Sequence, residues 1–173
     1  MTSVKEGNSA AFDELYKRYS KHLLLYFCRM LNDPEKAQDF LQDTFLIVIN
    51  KADTFRNSRG FSPWLYKIAY NRCKNEYRRR DIVRRSKWVV NPQTNPDNSD
   101  FIRFLFAALE NLDVKRRNIF LLRFQENLPI KQIAAVMECA EGTVKSRLFY
   151  TIKWLSARLA HFNPNIEVKG EKV

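Results

Sequence analysis

Between Lys67 and Lys87 stand nine lysines and arginines against two carboxylates, and Tyr66, Tyr70 and Asn71 are interleaved with the first of these cations. Aromatic rings amid positive charge suit unstacked bases, which can stack on the rings while the cations Lys67, Lys74 and Arg78 neutralise phosphates. A duplex hides its bases from such a surface, so the pattern points to a single strand. The plainer account is a solvated basic helix whose tyrosines lean on their own domain.

A second run reads as helix, turn, helix: Ile130 to Met137, then Glu138 to Gly142, then Thr143 to Tyr150. Ala134 is small enough for the two helices to cross closely, and Ile133, Val144 and Leu148 can fill their common core. The second helix then starts at Thr143-Val144 and brings its first turn to a major groove. Lys145, Ser146, Phe149 and Tyr150 project away from that core, toward phosphates, base edges or a thymine methyl, and Arg147 can hold a phosphate. An ordinary helical hairpin with a charged outer face is the competing description. A third feature is smaller: Asp39, Gln42 and Asp43 lie three and four residues apart and so share one helical surface. An acidic and amide stripe on a basic protein suits a protein partner better than DNA, although exposed Asp and Gln on a helix are often only solubilising.

The elements that must position these residues are helices throughout. Apolar residues at Phe12, Leu15, Tyr16, Tyr19, Leu23, Tyr26, Phe27 and Met30 follow one helical stripe ending near Asn32. Asp33 can cap a second helix with Pro34 in its first turn, carrying Ala37, Phe40, Leu41, Phe45 and Val48 inward. Ser62-Pro63 announces a third, with Trp64, Leu65, Ile68, Ala69, Cys73 and Tyr77 on its inner side. After Arg80 the texture becomes polar and proline-rich, through Asn91-Pro92-Gln93-Thr94-Asn95-Pro96. That stretch cannot build an apolar face. Helical spacing resumes at Ile102, Leu105, Phe106, Leu109 and Leu112 and continues through Ile119, Phe120, Leu122 and Leu128. The expected fold is all-α: two small helical domains, residues 1–80 and 101–162, joined by a flexible linker, residues 81–100, with a loose tail at 163–173.

Bulk properties narrow the function classes. Thirty Lys and Arg against nineteen Asp and Glu give a formal charge of +11, which favours nucleic acid as partner. The N-terminus lacks a signal peptide's apolar core, and no apolar run nears the roughly 20 residues that span a bilayer. A cytoplasmic protein is expected. Cys28, Cys73 and Cys139 are odd in number and show no CxxC spacing, so neither a disulfide framework nor a zinc site is expected. His22 and His161 are isolated, and no acid, base and nucleophile set or Gly-rich phosphate loop is legible. The sequence therefore calls for no catalytic residue, metal or cofactor.

Together these residues resemble a known family. Ala11-Phe12-Asp13-Glu14-Leu15-Tyr16 through Asp33-Pro34-Glu35-Lys36-Ala37-Gln38-Asp39-Phe40-Leu41-Gln42-Asp43-Thr44-Phe45 is similar to the first conserved domain of bacterial sigma factors. Phe61-Ser62-Pro63-Trp64-Leu65-Tyr66-Lys67-Ile68-Ala69-Tyr70-Asn71-Arg72 resembles the promoter-opening helix of the small, extracytoplasmic-function type, and Gly142-Thr143-Val144-Lys145-Ser146-Arg147-Leu148 resembles the recognition helix of their second domain. The resemblance covers nearly all of residues 8–160, in the family's order.

It implies an alternative sigma factor that brings RNA polymerase to promoters. Asp39, Gln42 and Asp43 would dock on the clamp helices of the polymerase largest subunit, with a further contact to the flap of the second-largest subunit. Phe55 and Asn71 would help form a pocket for a base flipped from the −10 element, so that opening follows from selective strand binding and needs no hydrolysis. The helix-turn-helix would read the −35 element as duplex, and an anti-sigma factor is expected as a further partner. Promoter DNA completes the set of expected partners. A linker of 20 residues from Asp81 to Asp100 reaches about 70 Å, enough for two sites roughly 50 Å apart, and its polarity predicts domains that are not rigidly packed.

Two departures from the family pattern bear on specificity. Relatives commonly carry more Arg where Tyr150, Thr151 and Ile152 stand here, and an acid where Gln132 precedes Ile133, so base-by-base contacts do not transfer. The alternative function is a stand-alone helix-turn-helix regulator. It accounts for the second domain but not for the basic, aromatic helix beside an acid and amide stripe.

Overall fold

The structure is a computed structural model that describes residues 2–55, 60–84 and 100–160. Most of the expected linker and the whole tail lie outside the described residues, as does His161. A short α1 (Thr2–Lys5) precedes α2 (Ser9–Leu31), which begins three residues before Phe12 because the Asn8 side chain accepts from the Ala11 N–H at 3.1 Å. Asn32 ends α2 in the left-handed region at φ 50°, returning its N–H to Cys28. Asp33 then caps α3 (Pro34–Asn50) by accepting from Lys36 N–H at 3.0 Å, with Pro34 in the first turn. A 3₁₀ turn (Ala52–Thr54) leads to α4 (Phe61–Arg84), which runs on beyond Arg80. The second half comprises α5 (Asp100–Glu110), α6 (Val114–Phe124), α7 (Ile130–Met137) and α8 (Glu141–Arg158). Among the described residues there is no strand, in agreement with the all-α expectation.

Leu23, Phe27 and Met30 of α2 pack with Leu41, Phe45 and Val48 of α3 and Leu65, Ala69 and Cys73 of α4, all buried. Burial alone is worth about 1.5–3 kcal/mol for each of the larger side chains. Charge reinforces this first core at one point. The Glu76 carboxylate receives Lys36 at 2.8 Å, Arg79 at 2.9 Å and Arg80 at 3.0 Å, tying α4 to α3. The Arg79 hydrogen bond foremost, with Lys36 and Arg80, holds its pKa down to about 2 against the opposing effect of burial. In the second half, Leu109, Leu112, Ile119, Leu122, Ile133, Val144 and Leu155 form the corresponding core.

The polarity of the linker predicts domains that are not rigidly packed, and contact between them was not anticipated. The two halves meet along a polar and aromatic seam. Tyr26 of α2, fully buried, donates its hydroxyl to Asn118 Oδ1 of α6 at 2.7 Å. Arg29 donates to Gln125 Oε1 at 2.6 Å and lies over the Phe106 ring, 4.2 Å from its centroid.

Arg117 contributes most to the seam. The residue is 4% exposed, and its guanidinium donates to Leu109 O at 2.9 Å, Glu110 O at 2.6 Å and Leu112 O at 3.4 Å in its own half, and to Met30 O at 2.8 Å and the Tyr77 hydroxyl at 2.5 Å in the other. The seam is built from helix faces, and linker composition carries no information about them.

Two expected outcomes test these constraints. Arg117→Lys retains the charge but offers three donors for five acceptor contacts, leaving buried carbonyls unmatched; urea denaturation should show a loss of about 2–4 kcal/mol. Glu76→Gln removes a group whose folded pKa lies below its ordinary value. That group stabilises the fold fully above pH 4.5, and less as pH falls toward about 2. The substitution should therefore lower the melting temperature at pH 7 by about 3 °C or more, and the difference from wild type should shrink in melts at pH 2.5.

Candidate nucleic-acid interface

Helix α4 divides the residues expected to meet a single strand into two sets. Lys67, Asn71, Lys74 and Arg78 recur at four and three residues and so form one stripe along the helix. Asn71 and Arg78 are exposed, and Lys67 and Lys74 are half-buried. Tyr66 and Tyr70 lie on another side. Their expected exposure is not what the structure has: Tyr66 is 2% exposed and Tyr70 is also buried. The Tyr66 hydroxyl donates to Glu126 across the seam, its ring meets Tyr26 edge-on at 5.3 Å, and burial and then Glu126 push its pKa far up. Burial likewise raises the Tyr70 phenol, against the pull of Arg147. The physical reason is the seam itself, because α7 packs along this side of α4.

Phe55 is buried as well, at the end of the 3₁₀ turn, where its N–H returns to Ala52 O at 3.1 Å. Its ring stands edge-on to Trp64 at 5.4 Å and to Phe61 at 6.1 Å, and Phe61 in turn meets Tyr19 at 5.0 Å. The structure thus places Phe55 in an aromatic cluster at the N-terminal end of α4, away from Asn71, which lies ten residues along that helix from Phe61. Trp64 was legible as an inward helix-face residue, but nothing in the spacing announced a cluster with Phe55 and Phe61.

On α3, Asp39, Gln42 and Asp43 share an exposed face, and the same face continues through Leu46, 56% exposed, and Ile49, 45% exposed. Sequence reasoning missed these two because they sit in an apolar run that reads as core. Extending the spacing from Asp39 and Gln42 by further helical turns would have found them. Asp43 also accepts from Arg72 of α4, whose guanidinium lies over Phe40 at 4.7 Å.

The helix-turn-helix is formed by α7 and α8. Glu138 turns the chain at φ 53°, and Cys139 N–H reaches back to Ala134 O at 3.1 Å. The second helix starts at Glu141, two residues ahead of the expected Thr143. Ile133, Ala134 and Val144 are buried between the helices. Thr151 and Leu155 continue that inner stripe on α8, so Lys145, Ser146, Phe149 and Tyr150 are left on the outside, Phe149 at 63% exposed. The Phe149 and Tyr150 rings touch edge-on at 5.4 Å. Ile152 and Lys153 extend this outer face and were missed, since they follow the helix's recognisable start. Thr143 and Arg147 are half-buried, and Arg147 is near Tyr70 rather than on the outermost face. Among the described residues no helix is long and apolar enough to cross a membrane.

Comparison with known proteins agrees with this arrangement. The family model for sigma-70 region 2 matches residues 15–82, and that for sigma-70 region 4 matches residues 105–155. The RNA polymerase sigma-H factor of Pseudomonas aeruginosa is 29% identical over 168 residues, covering 84% of each chain. The ECF RNA polymerase sigma-E factor of Haemophilus influenzae is 27% identical over 163 residues, covering 84% of this chain and 86% of its own. Among solved structures, the sigma factor RpoE of Bartonella quintana, in complex with the anti-sigma factor NepR, superposes with a TM-score of 0.76 at 23% identity, over 87% of this chain and 97% of its own. CnrH, in complex with the cytosolic domain of CnrY, gives 0.72 at 23% identity over 92% and 94%. With region 2 in α2 to α4 and region 4 in α5 to α8, the chain belongs to the sigma-70 family as an alternative sigma factor of the extracytoplasmic-function group.

Proposed function

We propose that this sigma factor divides promoter use among three helices: α3 docks on core RNA polymerase, α4 holds the displaced strand of the −10 element, and α8 reads the −35 element as duplex. The observation that carries the reading is the exposed stripe of α3. Asp39, Gln42, Asp43, Leu46 and Ile49 present carboxylates, an amide and two large aliphatic side chains on one face of a chain with charge +11. DNA would repel the carboxylates, and water gains nothing from the aliphatic pair. A protein surface with basic and apolar groups satisfies both, as the polymerase clamp helices would.

The stripe of Lys67, Asn71, Lys74 and Arg78 supplies cations and an amide for one strand's phosphates and a base edge, while half-buried Phe61 and Trp64, backed by buried Phe55, supply aromatic surface at the head of the same helix. Strand opening then follows from preferential binding, because flipping a base costs a few kcal/mol that such contacts offset on one strand only. On α8, Lys145 and Ser146 suit phosphates and base edges, and the exposed rings of Phe149 and Tyr150 suit thymine methyls. Thr143 and Arg147, at the helix edge, suit backbone contacts that fix its register. An anti-sigma factor fits the chain as a regulatory partner, since the structural relatives RpoE and CnrH were solved with NepR and the CnrY cytosolic domain.

The test separates docking from reading. Asp39→Arg with Leu46→Ala should weaken core-polymerase binding by about tenfold or more with the helical signal intact; unchanged affinity in a titration against labelled core would remove the stripe from the docking surface. Alanine at Phe149 and Tyr150 should leave core binding unaltered and lower transcript yield from promoters mapped with the wild-type protein, by about 1–3 kcal/mol in −35 affinity for each base that α8 no longer reads. A chain that ignores core polymerase and occupies duplex sites tightly alone would instead be a stand-alone regulator.

A further inference from the structure

We propose that Lys5, carried on α1, is a further strand-binding residue: its ammonium neutralises a phosphate of the displaced strand at the aromatic end of α4. This inference rests on the reading of α4 as the helix that holds that strand.

A single helical turn does not persist by itself, because it fixes several residues' dihedrals for one hydrogen bond. Helix α1 is held instead by what it touches. It packs against α2 and the 3₁₀ turn, with Val4 7% exposed. The link to α2 is equally defined. Gly7 N–H returns to Val4 O at 3.1 Å and Asn8 N–H to Ser3 O at 2.9 Å, and Gly7 stands at φ 78°, where a side chain would be strained. Backbone and burial therefore fix the root of the Lys5 side chain, while the residue itself is exposed.

The Lys5 ammonium donates to Phe55 O at 3.4 Å, fifty residues along the chain. Phe55 ends the 3₁₀ turn with extended backbone, and its ring meets Phe61 and Trp64 edge-on. A cation thus stands at the backbone of the residue whose ring supports the aromatic surface. The contact leaves its charge available, since a carbonyl offers a dipole and no compensating charge. Among the described residues Lys5 forms no ion pair, and the carboxylates of Glu6 and Asp53, its neighbours in α1 and the 3₁₀ turn, are exposed.

The cations of α4 begin farther along. Lys67 is six residues past Phe61, a rise of about 9 Å, and Ser62, Pro63, Trp64, Leu65 and Tyr66 between them carry no charge. The Lys67 ammonium is also turned to Glu138 Oε1 at 2.6 Å. A base resting on Phe61 and Trp64 therefore has its phosphate at the head of the helix, where Lys5 stands.

The test reads charge rather than stability. The full-length chain is assembled with core polymerase, and core alone serves as background. A labelled single strand of about 16 nucleotides, from the −10 region of a promoter mapped with the wild-type protein, is titrated over a range of salt. Each phosphate contact contributes about 0.7 to the slope of log affinity against log salt. Lys5→Gln should lower the slope by about 0.7, which is about fivefold in affinity at ~0.1 M salt when the curves meet at ~1 M. Lys5→Arg should keep the wild-type slope. Lys74→Gln, on the α4 stripe, should lower it by a similar amount, and circular dichroism melts check that each variant keeps its fold.

If Lys5→Gln lowers strand affinity equally at every salt concentration, Lys5 only braces Phe55 and the proposal is overturned. Weaker binding of Lys5→Gln to core itself overturns it too, because the lysine is then a polymerase contact. A wild-type slope for Lys5→Gln beside a lowered one for Lys74→Gln also overturns it, with the reading of α4 left standing. If neither substitution changes the slope, α4 does not hold the strand, and the inference falls with that reading.

Discussion

The guanidinium of Arg117 bonds to both halves of the chain and is the most heavily engaged group between them. Among the described residues, no carboxylate hydrogen-bonds to buried Arg117, and its charge is met by the carbonyls where α5 ends and by Met30 O, where α2 ends. The last carbonyls of a helix have no partner within the helix and carry its partial negative charge. Two helix ends pointed at one cation therefore answer each other's deficit, and a planar fork with five donors is the one side chain able to serve them all. The Tyr77 hydroxyl, which accepts from Arg117 and donates to the same Met30 carbonyl, brings α4 into the arrangement. Helices from both halves thereby meet at one residue.

Much of the architecture was legible because local signals and burial agreed. Asp33 and Pro34 marked the start of α3 by the chemistry of helix caps, and the apolar stripes of α2 and α4 named most of the first core in advance. Ala134, Ile133 and Val144 located the helix crossing in the second half. What escaped was set by long-range partners. In the run Val114 to Phe124, Arg117 reads as one of several solubilising charges, and only the fold shows that it faces inward. Leu46 and Ile49 escaped for the opposite reason, since aliphatic side chains in an apolar run read as core and here face outward. Helix α1 was too short for any periodic signal, though Val4 is buried.

The same division explains the uneven fate of the candidate site. Residues whose role depends only on their own helix, such as Lys145, Ser146, Phe149 and Tyr150, sit where spacing put them. Residues whose exposure depends on what another element covers do not. Tyr66 and Tyr70 have the right chemistry for stacking on bases, but their surroundings belong to the other half of the chain, which no local pattern describes.

One property of α8 reaches beyond this molecule. Its inward residues, Val144, Thr151 and Leu155, sustain the fold, while its outermost ones contribute to neither core nor seam. Substitutions at Lys145, Ser146, Phe149 and Tyr150 therefore meet little opposition from folding, and surface changes of that kind usually shift stability by less than about 0.5 kcal/mol. Under the proposed reading of α8 as the duplex-reading helix, a lineage of duplicated genes can diversify its target sequences through these positions while keeping one scaffold, so that new regulatory circuits arise from a handful of codons.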